Sequence, residues 1–358
     1  MCDMITTKFI LNNYVKGQFI KTGRKSGNST YFYKNDKQYL VTREGNYVYG
    51  NYPDNVVRMY MENDGTNQFH SHEALYENIN GNFIFKKYLT YSKQGDCGFE
   101  DPRCITWNNQ VYLFTNRRNL KNFSLVQMHV GIINDNLDYT NDSTMPSKMV
   151  VEKNWQPIED MPGICIYSHN PFTLVNVFNG SFSNIKFKSN IAINGSSQIV
   201  KFGENRLGIC HIRNQAFEYL HYFVLYDKDM NILKVSSPFS FFGANVEFNN
   251  HLEYRDGKFI ILISVHDQII YEFTLTEENI IEILDDKYDN KEKDNEVFTM
   301  FYNDAISNGN VFGALGLATF SKNKDILTDA IKRNHNKNYF RSDRQKILQS
   351  MLLMNYRQ

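Results

Sequence analysis

Short apolar or aromatic runs, each followed by a polar turn and a second such run, recur five times along the first three quarters of the chain. That is the pattern of β-hairpins. The units span residues 30–41 (turning at Asn35-Asp36), 104–115 (Asn108-Asn109), 157–167 (near Pro162-Gly163), 198–211 (Gly203-Glu204-Asn205) and 248–264 (Asp256-Gly257). Asn, Asp and Gly suit such turns because they tolerate the positive φ of a tight hairpin. Further strand-like runs at residues 123–133 and 219–226 supply outer strands. With Asn28, Asp101, Glu152, Gly195 and Glu247 as corresponding points, the steps are 73, 51, 43 and 52 residues. One four-stranded propeller blade takes about 40–50 residues. The pattern therefore predicts an all-β fold, a five-bladed β-propeller over residues 1–275. A two-sheet sandwich of similar strand content is the alternative.

The pattern changes after residue 276. Residues 285–294 are charged and nearly free of apolar side chains, as in an exposed linker. Residues 298–320 and 324–331 carry helix-like spacing, and Ser342-Asp343 is placed to cap a last helix through Met354. Residues 276–358 are thus expected to form a charged linker and an α-helical C-terminal segment, with packing on the propeller as the default.

Composition narrows the class. With 358 residues, 42% of them hydrophobic and 15% aromatic, the chain can bury a large core. Its 39 basic and 39 acidic residues cancel, which removes the electrostatic signature of a nucleic-acid binder. No apolar stretch is long enough to span a membrane, and residues 1–6 lack the basic-then-apolar order of a secretory signal. The five cysteines, at 2, 97, 104, 165 and 210, are scattered without a Cys-x-x-Cys pair, as expected of reduced thiols in a cytoplasmic protein. Cys97 and Cys104 flank an acidic motif, so a redox switch stands beside the plainer reading of small buried hydrophobes. His70-Ser71-His72 with Glu73 lacks a third indicated metal ligand, so neither metal nor cofactor is expected.

Candidate chemistry concentrates in Gly98-Phe99-Glu100-Asp101-Pro102-Arg103. A carboxylate that donates a proton near neutral pH needs burial or a second carboxylate to raise its pKa, and an arginine beside it fixes its geometry or holds an anion. Glu100, Asp101 and Arg103 supply these ingredients. A salt-bridged strand entry would use the same residues.

The motif resembles the signature of glycoside hydrolase family 130 and its relatives, the mannoside phosphorylases and β-1,2-mannosyltransferases. Weaker matches follow in order: Asn28-Ser29 with Arg43-Glu44-Gly45-Asn46-Tyr47, Glu152-Lys153-Asn154-Trp155 with Pro157, and Tyr167-Ser168-His169-Asn170-Pro171. Gly195-Ser196-Ser197-Gln198 with His211-Ile212-Arg213, and then Ser264-Val265-His266-Asp267, complete the series. Together they cover roughly residues 25–275. The resemblance implies a five-bladed β-propeller with Asp101 as catalytic general acid. Asn28, Arg43, Glu100, Arg103, Lys153, Asn154, His169, His211, Arg213 and Asp267 are then the candidate substrate-binding residues. Trp107, Trp155 and the tyrosines are candidates for stacking on sugar rings.

The resemblance also implies an arginine, lysine and histidine cluster for phosphate opposite the acid. The match there is incomplete: Gln127 stands where an arginine is common, and His169-Asn170 stands in place of a His-Arg pair. Arg117, Arg118 and Arg213 are the candidates to replace them. These departures favour a glycosyltransferase over a glycoside phosphorylase. The expected partners are a sugar donor, either a nucleotide sugar or a sugar 1-phosphate, and a glycan acceptor. A hydrolase would need a second carboxylate, from Glu152, Glu247 or Asp267. A non-catalytic propeller that binds glycans or proteins is the remaining alternative.

Overall fold

The computed structural model describes residues 7, 9–51, 57–61, 69–90, 96–119, 125–184, 193–214, 217–287, 296–321 and 323–335. The chain forms a five-bladed β-propeller followed by helices. Blade 1 comprises Gly27–Lys34, Lys37–Gly45, Ser71–Ile79 and Asn82–Tyr88, and blade 2 comprises Asp96–Trp107, Gln110–Asn119, Val126–Ile133 and Tyr139–Thr144. Blade 3 is shorter, with Gln156–Pro157, Ile164–His169, Phe172–Asn176 and Phe182–Asn184. Blade 4 is built on Val200–Phe202, Asn205–Arg213, Tyr219–Tyr226 and Ile232–Val235. Blade 5 has Glu247–Arg255, Lys258–Val265 and Ile269–Thr276, and its fourth strand is Gln18–Ile20, from the opposite end of the chain.

Alternation along these strands places apolar side chains on both blade faces, and the blades stack to cover them. Phe32, Val41 and Leu75 of blade 1 meet Cys104, Leu113 and Ile133 of blade 2. Trp107 and Phe114 meet Trp155 and Val175 between blades 2 and 3, and Ile166 and Phe172 meet Val224 and Tyr226 between blades 3 and 4. Leu207 and Phe223 of blade 4 meet Leu252 and Ile261 of blade 5. Tyr31 and Leu40 of blade 1 meet Leu262 and Ile270 of blade 5, which closes the ring. This cyclic succession excludes a two-layer sandwich. Trp107 and Trp155, expected as stacking candidates for sugar, are instead buried at 1% and 0% exposure between blades 2 and 3.

The turns fall where the polar breaks place them: Asn35, Asp36, Asn108, Asn109, Gly203, Asp256 and Gly257 all have positive φ. The long first step has a structural cause. Between the second and third strands of blade 1 the chain inserts a separate hairpin, Tyr47–Asn51 paired with Val57–Met61.

The C-terminal segment forms α1 (Glu277–Leu284), α2 (Val297–Ser307), α3 (Val311–Ala318) and α4 (Lys324–His335). The first was not expected; Thr276 caps it by accepting from the Asn279 backbone N–H while the Asn279 side chain returns the bond. Ile280, Phe301, Phe312, Leu315 and Leu327 enter the same core as blades 4 and 5. Most of the charged run and the helix expected over residues 342–354 lie outside the described residues.

Candidate active site

Asp101 owes its orientation to the strand that carries it. Between Arg103↔Phe114 and Glu100↔Asn116 the first strand of blade 2 carries one extra residue, a β-bulge. Asp101 occupies it with φ +56°, and Pro102 follows, where no ladder hydrogen bond is needed. The bulge turns the carboxylate into a cavity of about 950 Å³. Gly98, three residues earlier, has φ +80°, and a Cβ there would lie 1.9 Å from the Ser71 carbonyl oxygen. The glycine of the motif is thus the contact at which blades 1 and 2 touch backbone to backbone.

Asn28 Nδ2 donates to Asp101 Oδ1 at 2.5 Å and Asn116 Nδ2 to Oδ2 at 3.2 Å. Arg43, from blade 1, lies at the centre of three carboxylates: Glu100 at 3.3 Å, Asp101 at 3.5 Å and Asp267 at 3.6 Å. Burial works against its charge, but Glu100, Tyr47, Asp267 and Asp101 outweigh it and hold the guanidinium above its ordinary range. Asp267 sits in the turn after the second strand of blade 5 with φ +56° and accepts from the Tyr47 hydroxyl at 2.7 Å. Burial raises its pKa, with Arg43 and the Tyr47 bond opposing.

The same lining also carries Lys153, Arg213, Arg118, whose Nε lies 4.0 Å from Glu100 Oε1, and the His211 ring. His211 is held neutral, its pKa driven well below the usual histidine value by burial and by His221, Lys153, Arg103 and Arg213. Its Nδ1 bonds the Ser196 hydroxyl at 2.8 Å. The cavity therefore sets three carboxylates (Glu100, Asp101, Asp267) against four cations (Arg43, Arg118, Lys153, Arg213), which leaves one positive charge.

Nine of the eleven candidate residues line this cavity: Asn28, Arg43, Glu100, Asp101, Lys153, Asn154, His211, Arg213 and Asp267. Arg103 and His169 are not among its lining. Arg103 is fully buried and donates to the backbone oxygens of Ser196 (2.5 Å) and Asp101 (3.0 Å), and burial lowers its pKa to about 10. It anchors the bulge from behind. His169 contacts the Tyr226 hydroxyl and Cys210 between blades 3 and 4, with its pKa lowered to about 4 by burial. Of the candidate second carboxylates, only Asp267 reaches the cavity. Glu152 accepts from the Lys148 and Met149 backbone and from Tyr167, and Glu247 accepts from the backbone of Phe241, Phe242 and Ala244. Arg118 and Arg213 line the cavity, whereas Arg117 lies over the Phe99 ring.

Sequence reasoning did not single out Asn116, Tyr49, Met59, Met61, Phe69, Asn194, Tyr219, Val246 or Phe248. Asn116 was within reach, because it lies one strand over from the motif; the apolar residues carry no sequence signal that separates them from core. Among the described residues no group of His, Cys, Asp and Glu is arranged to hold a metal, and no helix is long and apolar enough to cross a membrane. Cys104, Cys165 and Cys210 are buried free thiols, while Cys2 and the Cys97 side chain lie outside the described residues.

No family model matches the sequence, and no curated protein matches it. Solved structures do share its fold. A β-1,2-mannobiose phosphorylase from Listeria innocua, in complex with β-1,2-mannobiose, superposes with a TM-score of 0.53 at 14% identity, over 75% of this chain and 93% of that one. A glycosyl hydrolase from Bacteroides ovatus superposes with a TM-score of 0.52 at 10% identity, over 77% and 92%. A third structure is described within the family 130 mannoside phosphorylases, as one of the glycoside hydrolases that target β-1,2 mannosidic linkages in Candida mannan. It gives 0.52 at 10% identity, over 78% and 93%. The fold is that of a glycoside hydrolase family 130-like five-bladed β-propeller.

Proposed function

We propose that this protein is a glycan-active enzyme that transfers a mannose-type sugar between a phosphate-bearing donor and a glycan acceptor, with Asp101 as general acid or base. The observation that carries this reading is the charge layout of the cavity. Arg43 draws Glu100, Asp101 and Asp267 together, with Arg118 beside Glu100 and the Tyr47 hydroxyl on Asp267, and Asp101 also accepts from the neutral amides of Asn28 and Asn116. Lys153 and Arg213 line the same cavity and supply cations suited to a phosphate group.

In the synthetic direction Asp101 takes the proton of the acceptor hydroxyl as that oxygen displaces phosphate or a nucleoside diphosphate at the anomeric carbon. The departing oxyanion is received by Lys153 and Arg213. In the reverse direction a phosphate oxygen attacks, and Asp101 returns the proton to the leaving sugar oxygen. Phosphate or an activated sugar supplies the second reacting group, so one acid–base carboxylate suffices, where inverting hydrolysis needs two. The departures at Gln127 and Asn170 favour transfer over phosphorolysis. The names of the structural neighbours supply the mannoside class.

Hydrolysis is the second reading, favoured by one observation: Asp267 shares the cavity, and its raised pKa suits a base better than that of an ordinary carboxylate. A product screen separates the readings. Nucleotide sugars, sugar 1-phosphates and inorganic phosphate are offered with mannose-type glycans to the wild type and to Asp101→Asn. Product that depends on a phosphate-bearing substrate and falls by about 10²–10⁴ in the variant is expected. Release of free sugar in phosphate-free buffer would establish hydrolysis. Glycan binding without turnover, unchanged in the variant, would make the protein a binding module.

A further inference from the structure

The inserted hairpin of blade 1 presents one face to the cavity. Successive strand residues point to opposite sides, so Tyr47 and Tyr49 share a face, as do Met59 and Met61 on the partner strand, with Tyr49 opposite Met59 and Tyr47 opposite Met61. Tyr49, Met59 and Met61 line the cavity together with Phe69, whose ring centroid lies 4.7 Å from that of Tyr47 with the planes tilted by 35°. Tyr47 is the residue whose hydroxyl holds Asp267. The apolar plate therefore begins at the carboxylate cluster and runs outward from it to Met59, which is 49% exposed.

A pyranose held by hydroxyl contacts is served by carboxylates, amides and flat rings. Two thioethers on flexible chains are poor groups for that purpose, since they accept hydrogen bonds weakly and have no ring face. They adapt well to an irregular apolar surface. A nucleobase would ask for polar groups at its edges, and among the described residues of the plate the Tyr49 hydroxyl is the side-chain group that offers one.

We infer that the acceptor carries an apolar aglycone, of alkyl or comparable lipid-like character, that lies on Tyr49, Met59, Met61 and Phe69 while its sugar sits at Asp101. This rests on the glycan-active reading and names the class of acceptor at the same site. Burying even two or three methylene groups on the plate strengthens binding by about tenfold or more.

The test compares methyl and hexyl mannosides as ligands, by calorimetry and as acceptors in the transfer assay, with wild type, Met59→Ser, Met61→Ser and Met59→Leu. The hexyl compound is expected to bind at least about tenfold tighter and to lower KM more than it changes kcat. That preference should collapse in both serine variants and return in Met59→Leu, which keeps the apolar volume. Equal affinity for the two mannosides, or no affinity for either, overturns the inference. So does a preference that survives both serine variants, or an apolar gain that follows a donor's nucleobase and not the acceptor's alkyl chain. Alkyl-dependent binding without any turnover would uphold the apolar subsite and overturn the transferase reading, so the two failures are distinguishable.

Discussion

At the residue scale, Asp101 and Gly98 show how a site is built from backbone geometry before any side chain acts. Asp101 is held in a left-handed conformation by the bulge and by Arg103 behind it, and strain of this kind persists where surrounding structure over-determines it. Gly98→Ala places a methyl group against the Ser71 carbonyl oxygen at a positive φ. A cost of at least about 1–2 kcal/mol is expected for the conformation alone, before the clash is counted. It should appear as a lowered denaturation midpoint together with a loss of turnover; a variant as stable and active as the wild type would refute the close-contact account. Glu73, the cross-strand neighbour of Arg43, is fully buried, and burial raises its pKa to about 8. An unfolded glutamate ionises near 4.5. Between those pH values the unfolded state sheds a proton that the folded state keeps, so the wild type loses about 1.4 kcal/mol of stability per unit of rising pH from this group. Glu73→Gln removes that loss, and its urea midpoint relative to wild type should climb from pH 5 to pH 8. A constant difference would show that Glu73 is already ionised.

At the scale of elements, the inserted hairpin and the C-terminal helices act together. The Asn51 backbone N–H donates to Thr319 Oγ1 at 2.7 Å, and α3 comes so near that a Cβ on Gly316 would lie 2.4 Å from the Tyr49 carbonyl oxygen. The helix end thus backs the strand that presents Tyr49 to the cavity. A two-stranded hairpin has too little core to hold itself, so its position depends on this contact. Phe301 of α2 is fully buried against Phe242, with ring centroids 5.1 Å apart. Phe301→Ala should cost about 3–5 kcal/mol, read as a shift of a single unfolding transition that the propeller and helices share. Loss of a separate, smaller transition would mean that the helices fold apart from the blades.

At the scale of the whole molecule, the closed ring buries histidines in their neutral form. Burial lowers His169 to about 4 and both His221 and His266 to about 3. Folded pKa values below the unfolded value of about 6.5 make these groups favour the fold above that pH, and the advantage is lost as pH falls towards the folded values. Each should withdraw about 1.4 kcal/mol per pH unit below 6.5. Stability measured by denaturant should drop steeply between pH 7 and pH 5; a flat profile over that range would contradict neutral burial.

Much of this architecture was legible in the chain. Alternating runs and positive-φ turn residues repeat locally, so five blades, their hairpins and the acidic motif could be read without knowledge of what packs where. What the sequence could not settle is non-local. The N-terminal strand Gln18–Ile20 completes blade 5 only because ring closure brings residues about 250 positions apart into register. Arg103 and His169 look like ligands in sequence and become buried partners of backbone and tyrosine. Met59 and Met61 look like core and become a cavity wall, because strand alternation fixes only that they share a face. The tertiary fold decides what that face meets.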